Sequence, residues 1–344
     1  MKNLNRKRLP EIKRNWIDLS GEGLIAREYL NSEQTLPLVL KPTIAGVNLA
    51  EWARTNREFI EAQLLKHGGL LFRGFEVKDV SEFEQFIRVV SGNAIEYQER
   101  SSPRSLIDGR IYTSTDHPAD QFIFLHNEQS YNLVFPLRIF FFCIKPAEQG
   151  GETLLGDSRK ILTRLDPQIR AKFADRNYMY VRNFGHGFGL SWQAAFQTTD
   201  RAVVDSYCRE HEIECEWKDE DYLTTRQIRR LIAKHPRTGE NVWFNHATFF
   251  HISTLDPGLQ RVLSDAFAEH ELPNNTYYGD GSPIEPDVTE QLHQIYRQEE
   301  LAVPWQRGDV LMLDNMLTAH GRAPFIGNRQ IAVGMSELRH WSEV

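Results

Sequence analysis

A histidine and a glutamate two positions apart stand directly before one of the most apolar runs of the chain. The stretch FLHNEQSYNLVFPLRIFFFC, residues 124–143, contains His126 and Glu128. Strand-like sequence usually has no charged residues in its middle, so this pair is unusual. On a β-strand, residues i and i+2 point to the same face. We therefore expect both side chains to reach into the same space, which is the arrangement of a binding site.

The bulk properties limit the class of protein. The 344 residues are 41% hydrophobic and 11% aromatic, enough for a sizeable core, and all-β barrels with insertions reach this length as one domain. A net charge of −7 without a long basic run argues against a nucleic-acid partner. The sequence has no apolar stretch of transmembrane length, and the basic N-terminus MKNLNRKRLPEIKRNW lacks the apolar segment of a secretory signal. We therefore expect no membrane partner.

The cysteines indicate the compartment. Cys143, Cys208 and Cys215 are odd in number and widely spaced, so they match neither a zinc-site spacing nor a disulfide framework. Free thiols of this kind are typical of a reducing environment, and we expect the protein to be cytoplasmic.

The order of the patterns predicts one domain, residues 36–344, behind an N-terminal tail of residues 1–35. A helical pattern in NLAEWARTNREFIEAQLLKHGG ends on a glycine pair, and GLLFRGF then reads as a buried strand. From Ile123 the pattern changes to strands. The chain closes with the strand-like stretches DVLMLDN and RQIAVGM.

Between these strands, residues 157–240 are predicted to form a mostly helical insertion that includes SRKILTRLDPQIRAKF, DRAVVDSYCREHEI and TTRQIRRLIAK. Two further helical patterns follow at 257–270 and 285–300. A sheet sandwich interrupted by a helical excursion fits this order better than a βαβ array. The predicted fold class is mainly β with a helical insertion.

A third ligand is needed to complete a metal site. His320 follows DVLMLDNMLTAH, just past a late strand. Two imidazoles and one carboxylate are the ligand set of non-haem Fe(II) oxygenases, because they hold the metal and leave adjacent positions open. A bare H-x-E before a distant histidine also occurs by chance, so a buried hydrogen-bonded cluster is the alternative.

Two further motifs strengthen the iron hypothesis. Gly150-Gly151-Glu152-Thr153 follows the His126/Glu128 pair, and Arg329 comes nine residues after His320. With these motifs, residues 65 to 340 resemble the taurine-dioxygenase-like (TauD/TfdA) superfamily of Fe(II)/2-oxoglutarate oxygenases. The chain is most similar to the subgroup of the syringomycin aspartyl hydroxylase, through the phrases ERSSPR, TSTDHP, LHNEQSY, FFFCIKPAEQGGET, SWQAAFQT and HPRTGENVWFNHATFFH. Like clavaminate synthase, this subgroup has Glu in the metal pair. The resemblance implies a double-stranded β-helix, or jelly roll, of the clavaminate-synthase-like type.

The resemblance also implies roles for individual residues. His126, Glu128 and His320 would bind Fe(II), with O₂ as the second co-substrate. Thr153 and Arg329 would bind the distal carboxylate of 2-oxoglutarate, which suits the planar fork of an arginine. The gap from His320 to Arg329 is shorter than in taurine dioxygenase, so Arg322 is the competing choice. Thr153 has the alternative of simply ending a strand beside the glycine turn.

The activity that the resemblance implies is hydroxylation of an amino acid, either free or bound to a peptidyl carrier protein, in specialised-metabolite biosynthesis. Halogenases of this chemistry lack the carboxylate ligand, so the presence of Glu128 argues against halogenation. A desaturase or cyclase with the same iron centre is the first alternative. A catalytically silent jelly-roll binding protein and a zinc hydrolase are the others, although no separate general base or nucleophile motif is evident.

Substrate contacts are expected near the metal pair, with ordinary structural use as the alternative for each residue. The candidates flank the metal strand, follow the metal pair or end the phrase FNHATFFH: Arg104, Thr113, Ser114, Ser130, Tyr131, Asn132, Phe250, His251 and Arg322. The charged face of TTRQIRRLIAKHPR is expected to be solvated. Its alternative use is to dock an acidic carrier protein through Arg229 and Arg230.

Overall fold

The computed structural model describes residues 23–30, 34–95, 105–114, 117–185, 187–219 and 221–344. Most of the predicted tail, and the candidate substrate residue Arg104, lie outside the described residues. Within the predicted tail, residues Ile25–Tyr29 form a strand at the edge of a sheet.

The first part of the chain alternates strands with three helices. Its elements are β1 (Ile25–Tyr29), β2 (Leu38–Pro42), α1 (Leu49–Thr55), α2 (Arg57–His67), β3 (Gly69–Phe72), α3 (Val80–Ser91), β4 (Leu106–Asp108), β5 (Ile111–Thr113), β6 (Ile123–His126), β7 (Val134–Lys145), β8 (Gln149–Gly150) and β9 (Thr153–Asp157). The helix α2 ends at the predicted glycine pair, where Gly68 adopts a left-handed conformation with φ of 77°.

The middle and last parts contain the remaining elements. The middle part has α4 (Ser158–Arg164), α5 (Pro167–Arg176), β10 (Tyr178–Phe184), α6 (Trp192–Phe196), α7 (Arg201–Glu210), β11 (Glu214–Trp217), β12 (Leu223–Arg229), β13 (Ile232–Lys234) and β14 (Asn241–Trp243). The last part has α8 (Pro257–Ala266), β15 (Asn274–Tyr278), α9 (Pro286–Glu299), β16 (Leu301–Val303), β17 (Val310–Asp314), β18 (Thr318–Arg322), β19 (Phe325–Ile326) and β20 (Gln330–His340). The helices α8 and α9 confirm the two late helical patterns.

The largest sheet has the strand order β1-β2-β3-β17-β7-β20-β5-β4. Its central strand β7 is apolar on both faces because both are covered. Ile139 and Phe141 point toward one core cluster, whereas Phe140 and Phe142 pack against α1, α2 and α3 on the other side. A strand buried on both faces reads as a continuous apolar run, which explains the sequence LRIFFFCIK.

A second sheet, of order β16-β9-β18-β6, faces the first. Leu155 of β9 and Val303 of β16 share a fully buried cluster with Ile139, Leu311 and Ile331 of the larger sheet. The core between the two sheets is therefore the predicted sandwich. The pairing of β6 with β18 in the second sheet brings the predicted metal ligands together.

The insertion is not mostly helical, and the prediction of a helix over TTRQIRRLIAK is wrong. This segment forms β12 and β13, and β12 belongs to a third sheet of order β11-β12-β10-β15. Thr225, Gln227 and Arg229 are buried while Arg226 and Ile228 are more exposed, which is the period of a strand. β-Branched residues favour that conformation. The fold is therefore mixed α/β with several sheets.

The expected solvated face of this segment is also wrong for Arg229. Its side chain is 4% exposed and donates hydrogen bonds to the backbone carbonyls of Tyr131 and His211 at 2.9 and 2.7 Å. The exposed Arg230 donates to the carbonyls of Trp341 and Val344. The two arginines therefore do not form one docking surface for a carrier protein.

The cysteines and the helix lengths are two further features of the fold. Cys143, Cys208 and Cys215 are free thiols. Within the described parts of the chain, no helix combines the length and the apolar character needed to cross a membrane.

A buried ion cluster holds the end of β17. Arg138 is fully buried, and its guanidinium donates to Asp314 and, at 2.8 Å, to Glu61. The carboxylate of Asp314 also lies 3.0 Å from Nε2 of His235 and accepts the backbone N–H of Leu317 at 3.1 Å. Burial alone would raise the pKa of Asp314, but Arg138 and His235 lower it to about 2.

Arg138→Met is expected to lower the free energy of unfolding by about 3–5 kcal/mol, because it leaves Asp314 buried without its guanidinium. The matched control is Arg237→Met, whose partly exposed guanidinium pairs with Glu61 and Glu337 and should contribute about 0–1 kcal/mol. Urea unfolding at neutral pH measures both.

A depressed carboxyl pKa stabilises the fold above the unfolded pKa of about 3.9. The difference in stability loss between Arg138→Met and Arg237→Met should therefore shrink as the pH falls from about 4 toward 2. Equal losses in the two variants would contradict this account.

Candidate metal centre and co-substrate pocket

His126 and His320 face each other across two antiparallel strands. His126 is the last residue of β6 and lies opposite His320 of β18, with the ring centroids 4.5 Å apart. Glu128 follows β6, and its Oε2 is 3.8 Å from Nε2 of His320. One ligand atom from each of the three residues lies within 4.8 Å of the others. His126 and Glu128 thus do share one space, but not as neighbours on a strand, because β6 ends at His126.

A glycine allows the two strands to approach this closely. A Cβ atom on Gly321 would lie 2.5 Å from the carbonyl oxygen of Ile123 and 3.2 Å from the carbonyl carbon of Phe124. The pairing of β18 with β6 also shifts register between His320 and Arg322, on either side of this glycine. Gly321 is therefore required by close backbone packing.

The donor set fits a divalent transition metal. Nδ1 of His126 lies 2.9 Å from the carbonyl oxygen of Phe124, so the protonated Nδ1 donates there and Nε2 keeps a lone pair for a metal. Glu128 and His320 are 3% and 6% exposed. Two imidazoles and a carboxylate that leave other positions open suit Fe(II), as in the facial arrangement of oxygenases.

Two asparagines hold the turn that contains Glu128. The side-chain Oδ1 of Asn315 accepts the backbone N–H of Glu128, and its Nδ2 donates to the Glu128 carbonyl, both at 2.8 Å. Nδ2 of Asn127 donates to the backbone carbonyl of Asn315 at 2.7 Å. Neither asparagine is among the residues predicted from the sequence. For Asn315, the signal in the sequence is the polar pair Asp314-Asn315, which ends the apolar strand VLMLDN.

Thr153 lies at the start of β9, opposite Arg322 of β18. The indole N–H of Trp305 donates to Oγ1 of Thr153 at 3.1 Å. A hydroxyl that accepts this bond can direct its own hydrogen to an anion. Trp305, too, is not among the residues predicted from the sequence.

Arg329 is a partly buried cation next to the glycine turn. Its Nε donates to the carbonyl of Gly151 at 2.9 Å, and its Nη1 donates to Oγ of Ser114 at 3.2 Å. Burial, together with the charge of Arg322, lowers the pKa of Arg329 to about 10, so the guanidinium remains charged at neutral pH. A Cβ on Gly151, where φ is +73°, would lie 2.9 Å from Cδ of Arg329, so glycine is required there as well.

Arg322, the competing choice, is used differently. Its guanidinium donates to the carbonyls of His117, Pro118 and Gln121, and so ties the segment before β6 to β18. Both guanidiniums also lie over the ring of Phe325, at 5.0 Å for Arg322 and 5.7 Å for Arg329. Arg322 holds a loop, whereas Arg329 makes fewer contacts with backbone carbonyls. The local positive charge favours a dianionic ligand.

The candidate substrate residues separate into different environments. Oγ of Ser130 lies 2.7 Å from Nδ1 of His246, whose ring is 5.4 Å from that of His126. The buried ring of Tyr131 packs 4.9 Å from the same His246, and burial lowers the pKa of His246 well below its usual value. His251 accepts the backbone N–H of Ser253, and so caps a short 3₁₀ helix.

Asn132 instead lines a cavity of about 280 Å³. Gln129, the residue after Glu128, shares this lining with Arg110, Tyr207, His211 and the apolar side chain of Leu338. The cavity therefore lies between the turn after Glu128 and α7 of the insertion.

A family model and two relatives match most of this chain. The family model "Taurine catabolism dioxygenase TauD, TfdA family" matches residues 34–335. Dapdiamide synthesis protein DdaC of Enterobacter agglomerans is 37% identical over 276 residues, which cover 80% of this chain and 84% of that protein. A clavaminate synthase-like protein of Arabidopsis thaliana is 25% identical over 317 residues, which cover 87% of this chain and 93% of that protein.

A solved structure shares the fold. PvcB, described as an Fe, alpha-ketoglutarate dependent oxygenase from an isonitrile synthetic pathway, matches with a TM-score of 0.55 and 15% identity. The match covers 92% of this chain and 93% of PvcB. The family and this neighbour imply the double-stranded β-helix, whose two facing sheets correspond to the sandwich described above.

Gly321→Ala is expected to push β18 away from β6 and to weaken binding of Mn(II), a redox-stable probe of the site. The added methyl group meets backbone, which cannot move as a flexible side chain does, so overpacking should also cost about 1–3 kcal/mol of stability. Isothermal titration calorimetry and urea unfolding measure the two effects. Gly23→Ala, where nothing lies within 4 Å of the added atom, is the control. Wild-type Mn(II) affinity in Gly321→Ala would show that this close approach does not set the ligand geometry.

Proposed function

Because the chain belongs to the TauD, TfdA family of Fe(II)/2-oxoglutarate-dependent oxygenases, we propose that it hydroxylates an unactivated carbon of an amino acid. The substrate is either free or bound to a peptidyl carrier protein, and 2-oxoglutarate is decarboxylated to succinate. The observation that carries the proposal is the group His126, Glu128 and His320, together with the partly buried Arg329. The name of the relative DdaC, a dapdiamide synthesis protein, supports a role in specialised-metabolite biosynthesis.

Fe(II) would be held by Nε2 of His126, by Nε2 of His320 and by the carboxylate of Glu128. Bound there, it would activate O₂ for abstraction of a hydrogen atom from the substrate and for transfer of a hydroxyl group. The aromatic rings of Phe249 and Phe141 lie 4.6 Å from the ring of His126 and 5.4 Å from that of His320, respectively. They exclude water from one side of the ligands. The presence of Glu128 supports hydroxylation over halogenation.

The distal carboxylate of 2-oxoglutarate would bind at Arg329 and Thr153. Arg329 supplies the positive charge, and its contacts with Gly151 and Ser114 fix the direction of the guanidinium. Thr153 supplies a directed hydroxyl hydrogen, because its oxygen already accepts the N–H of Trp305. Arg322 would add charge from the neighbouring position while it holds the 117–121 segment.

The cavity lined by Gln129 and Asn132 is the proposed substrate pocket. The amide groups of Gln129 and Asn132 offer both hydrogen-bond donors and acceptors, and the guanidinium of Arg110 offers charge to a carboxylate. Leu338 offers an apolar surface to the carbon chain. An amino-acid-like molecule combines these same groups, which supports the proposed substrate class.

The substrate class is tested by a screen in which product mass is read directly. Fe(II), 2-oxoglutarate and O₂ are supplied with the amino acids, each as the free acid and as a thioester on a peptidyl carrier protein. We expect one of them to gain the mass of one oxygen atom with formation of succinate, and His126→Ala to give neither product. A loss of two hydrogens would instead assign a desaturase or cyclase. No consumption of 2-oxoglutarate with any substrate would favour the silent binding protein.

A further inference from the structure

We infer that Asn315 and Asn127 form a reciprocal pair of positioning residues that aims the carboxylate of Glu128 at the metal. The inference rests on the proposed metal site and concerns what holds its one anionic ligand in place. The side chain of Asn315 binds the backbone of Glu128, the residue after Asn127, and the side chain of Asn127 binds the backbone carbonyl of Asn315. Together they take over the role that strand pairing plays for the two histidines.

The need for such a device follows from where the strand ends. His126 and His320 are both within paired strands, so the ladder of β6 and β18 sets their backbones. Glu128 lies beyond the end of β6, in a buried turn that continues through Gln129, which has a φ of 53°. A residue in such a turn has no ladder to fix its direction. Its backbone N–H and carbonyl still require partners, because buried polar groups are costly when unpaired.

The carboxamide of Asn315 supplies both partners. It accepts the N–H of Glu128 and donates to the carbonyl of Glu128, as a neighbouring strand would, and both distances are 2.8 Å. The second hydrogen of Nδ2 donates to the carbonyl of Pro136 in β7, also at 2.8 Å. Asn315 is fully buried, and these contacts occupy both of its side-chain donors. The turn is therefore tied to the largest sheet through one side chain.

Asn127 closes the pair from the other side. Its Nδ2 donates to the backbone carbonyl of Asn315 at 2.7 Å and to Oγ of Ser158 at 3.2 Å. Asn315 itself is held by its own N–H, which donates to the carbonyl of Leu137 at 2.9 Å. Asn127, which lies between His126 and Glu128 in the sequence, is thus bound to Asn315 at the end of β17, as Glu128 is. Any shift of Asn315 is passed to both sides of the ligand turn.

The chemistry of the amide group matters here. An aspartate at position 315 would have the same shape, but it would place a carboxylate against the carbonyls of Glu128 and Pro136 and would lose both donors. Groups that orient metal ligands in this way typically change metal affinity by about 10–100-fold when they are removed. We therefore expect metal affinity to fall more than overall stability does.

The test compares Mn(II) affinity with thermal stability in the full-length protein. Mn(II) alone is the probe, and electron paramagnetic resonance of the free ion gives the dissociation constant. The main variant is Asn127→Ala, because Oδ1 of Asn127 has no hydrogen-bond partner among the described residues, so the change removes only the bonds that Nδ2 donates to Asn315 and Ser158. Asn315→Asp is the second variant. The matched control is Asn183→Ala, a buried amide in β10 that donates to the carbonyl of Leu272 at 2.8 Å, away from the candidate metal centre.

We expect Asn127→Ala to bind Mn(II) about 10–100-fold more weakly with its circular dichroism unchanged, and Asn183→Ala to lose stability while keeping wild-type affinity. If Asn315→Asp does not fold, Asn127→Ala decides. Wild-type affinity in Asn127→Ala, or an equal loss in Asn183→Ala, would overturn the inference. A wild-type protein that binds no Mn(II) at all would overturn the metal site itself, and the two failures are therefore distinguishable.

Discussion

The contact between β18 and β6 is the constraint on which the rest of the site depends. Gly321 lets the two backbones lie close enough for His320 to face His126. The register of β18 against β6 shifts between His320 and Arg322, on either side of this glycine. The same strand β18 pairs on its other side with β9, which places Thr153 opposite Arg322. One closely packed strand therefore sets the spacing between the candidate metal ligands and the candidate co-substrate pocket.

The two polar side chains at the end of β17, behind the site, are buried and hydrogen-bonded to specific partners. Consecutive residues at the end of β17 have different tasks. Asp314 completes the ion cluster with Arg138 and His235, and Asn315 holds the backbone of Glu128. The charged cluster fixes the strand end in the apolar frame, and the neutral amide transmits that position to the metal ligand. The side chain that contacts the backbone of Glu128 is therefore a neutral amide and not the carboxylate of Asp314, and it still fixes the direction of the turn.

Much of the site could be predicted from the sequence, since its ligands lie in short motifs with definite spacing. His126, Glu128 and His320 come together as predicted, although the strand geometry assumed for the first two is wrong because the strand ends between them. Asn315 and Trp305 could not be found in this way. Their roles depend on contacts with Glu128 and Thr153, which lie 187 and 152 residues away in the chain.

The fold shows the same division. The strand β7 follows from its continuous apolar run and the late helices follow from their periodicity, whereas the helix predicted over TTRQIRRLIAK is a pair of strands. The contradicting residue is Arg229, which is buried in a strand because carbonyls of two distant segments accept its hydrogen bonds. Tertiary context of this kind overrides local propensity and cannot be read from the segment alone.

The central claim is that the three ligands and Arg329 form one chelating centre for Fe(II) and 2-oxoglutarate. The most direct measurement is the visible spectrum of the protein after anaerobic addition of both. The account predicts a weak charge-transfer band in the wild type that is absent in His126→Ala, weakened in Arg329→Ala and retained in Arg230→Ala. No band in the wild-type protein, despite intact folding and metal uptake, would contradict the claim.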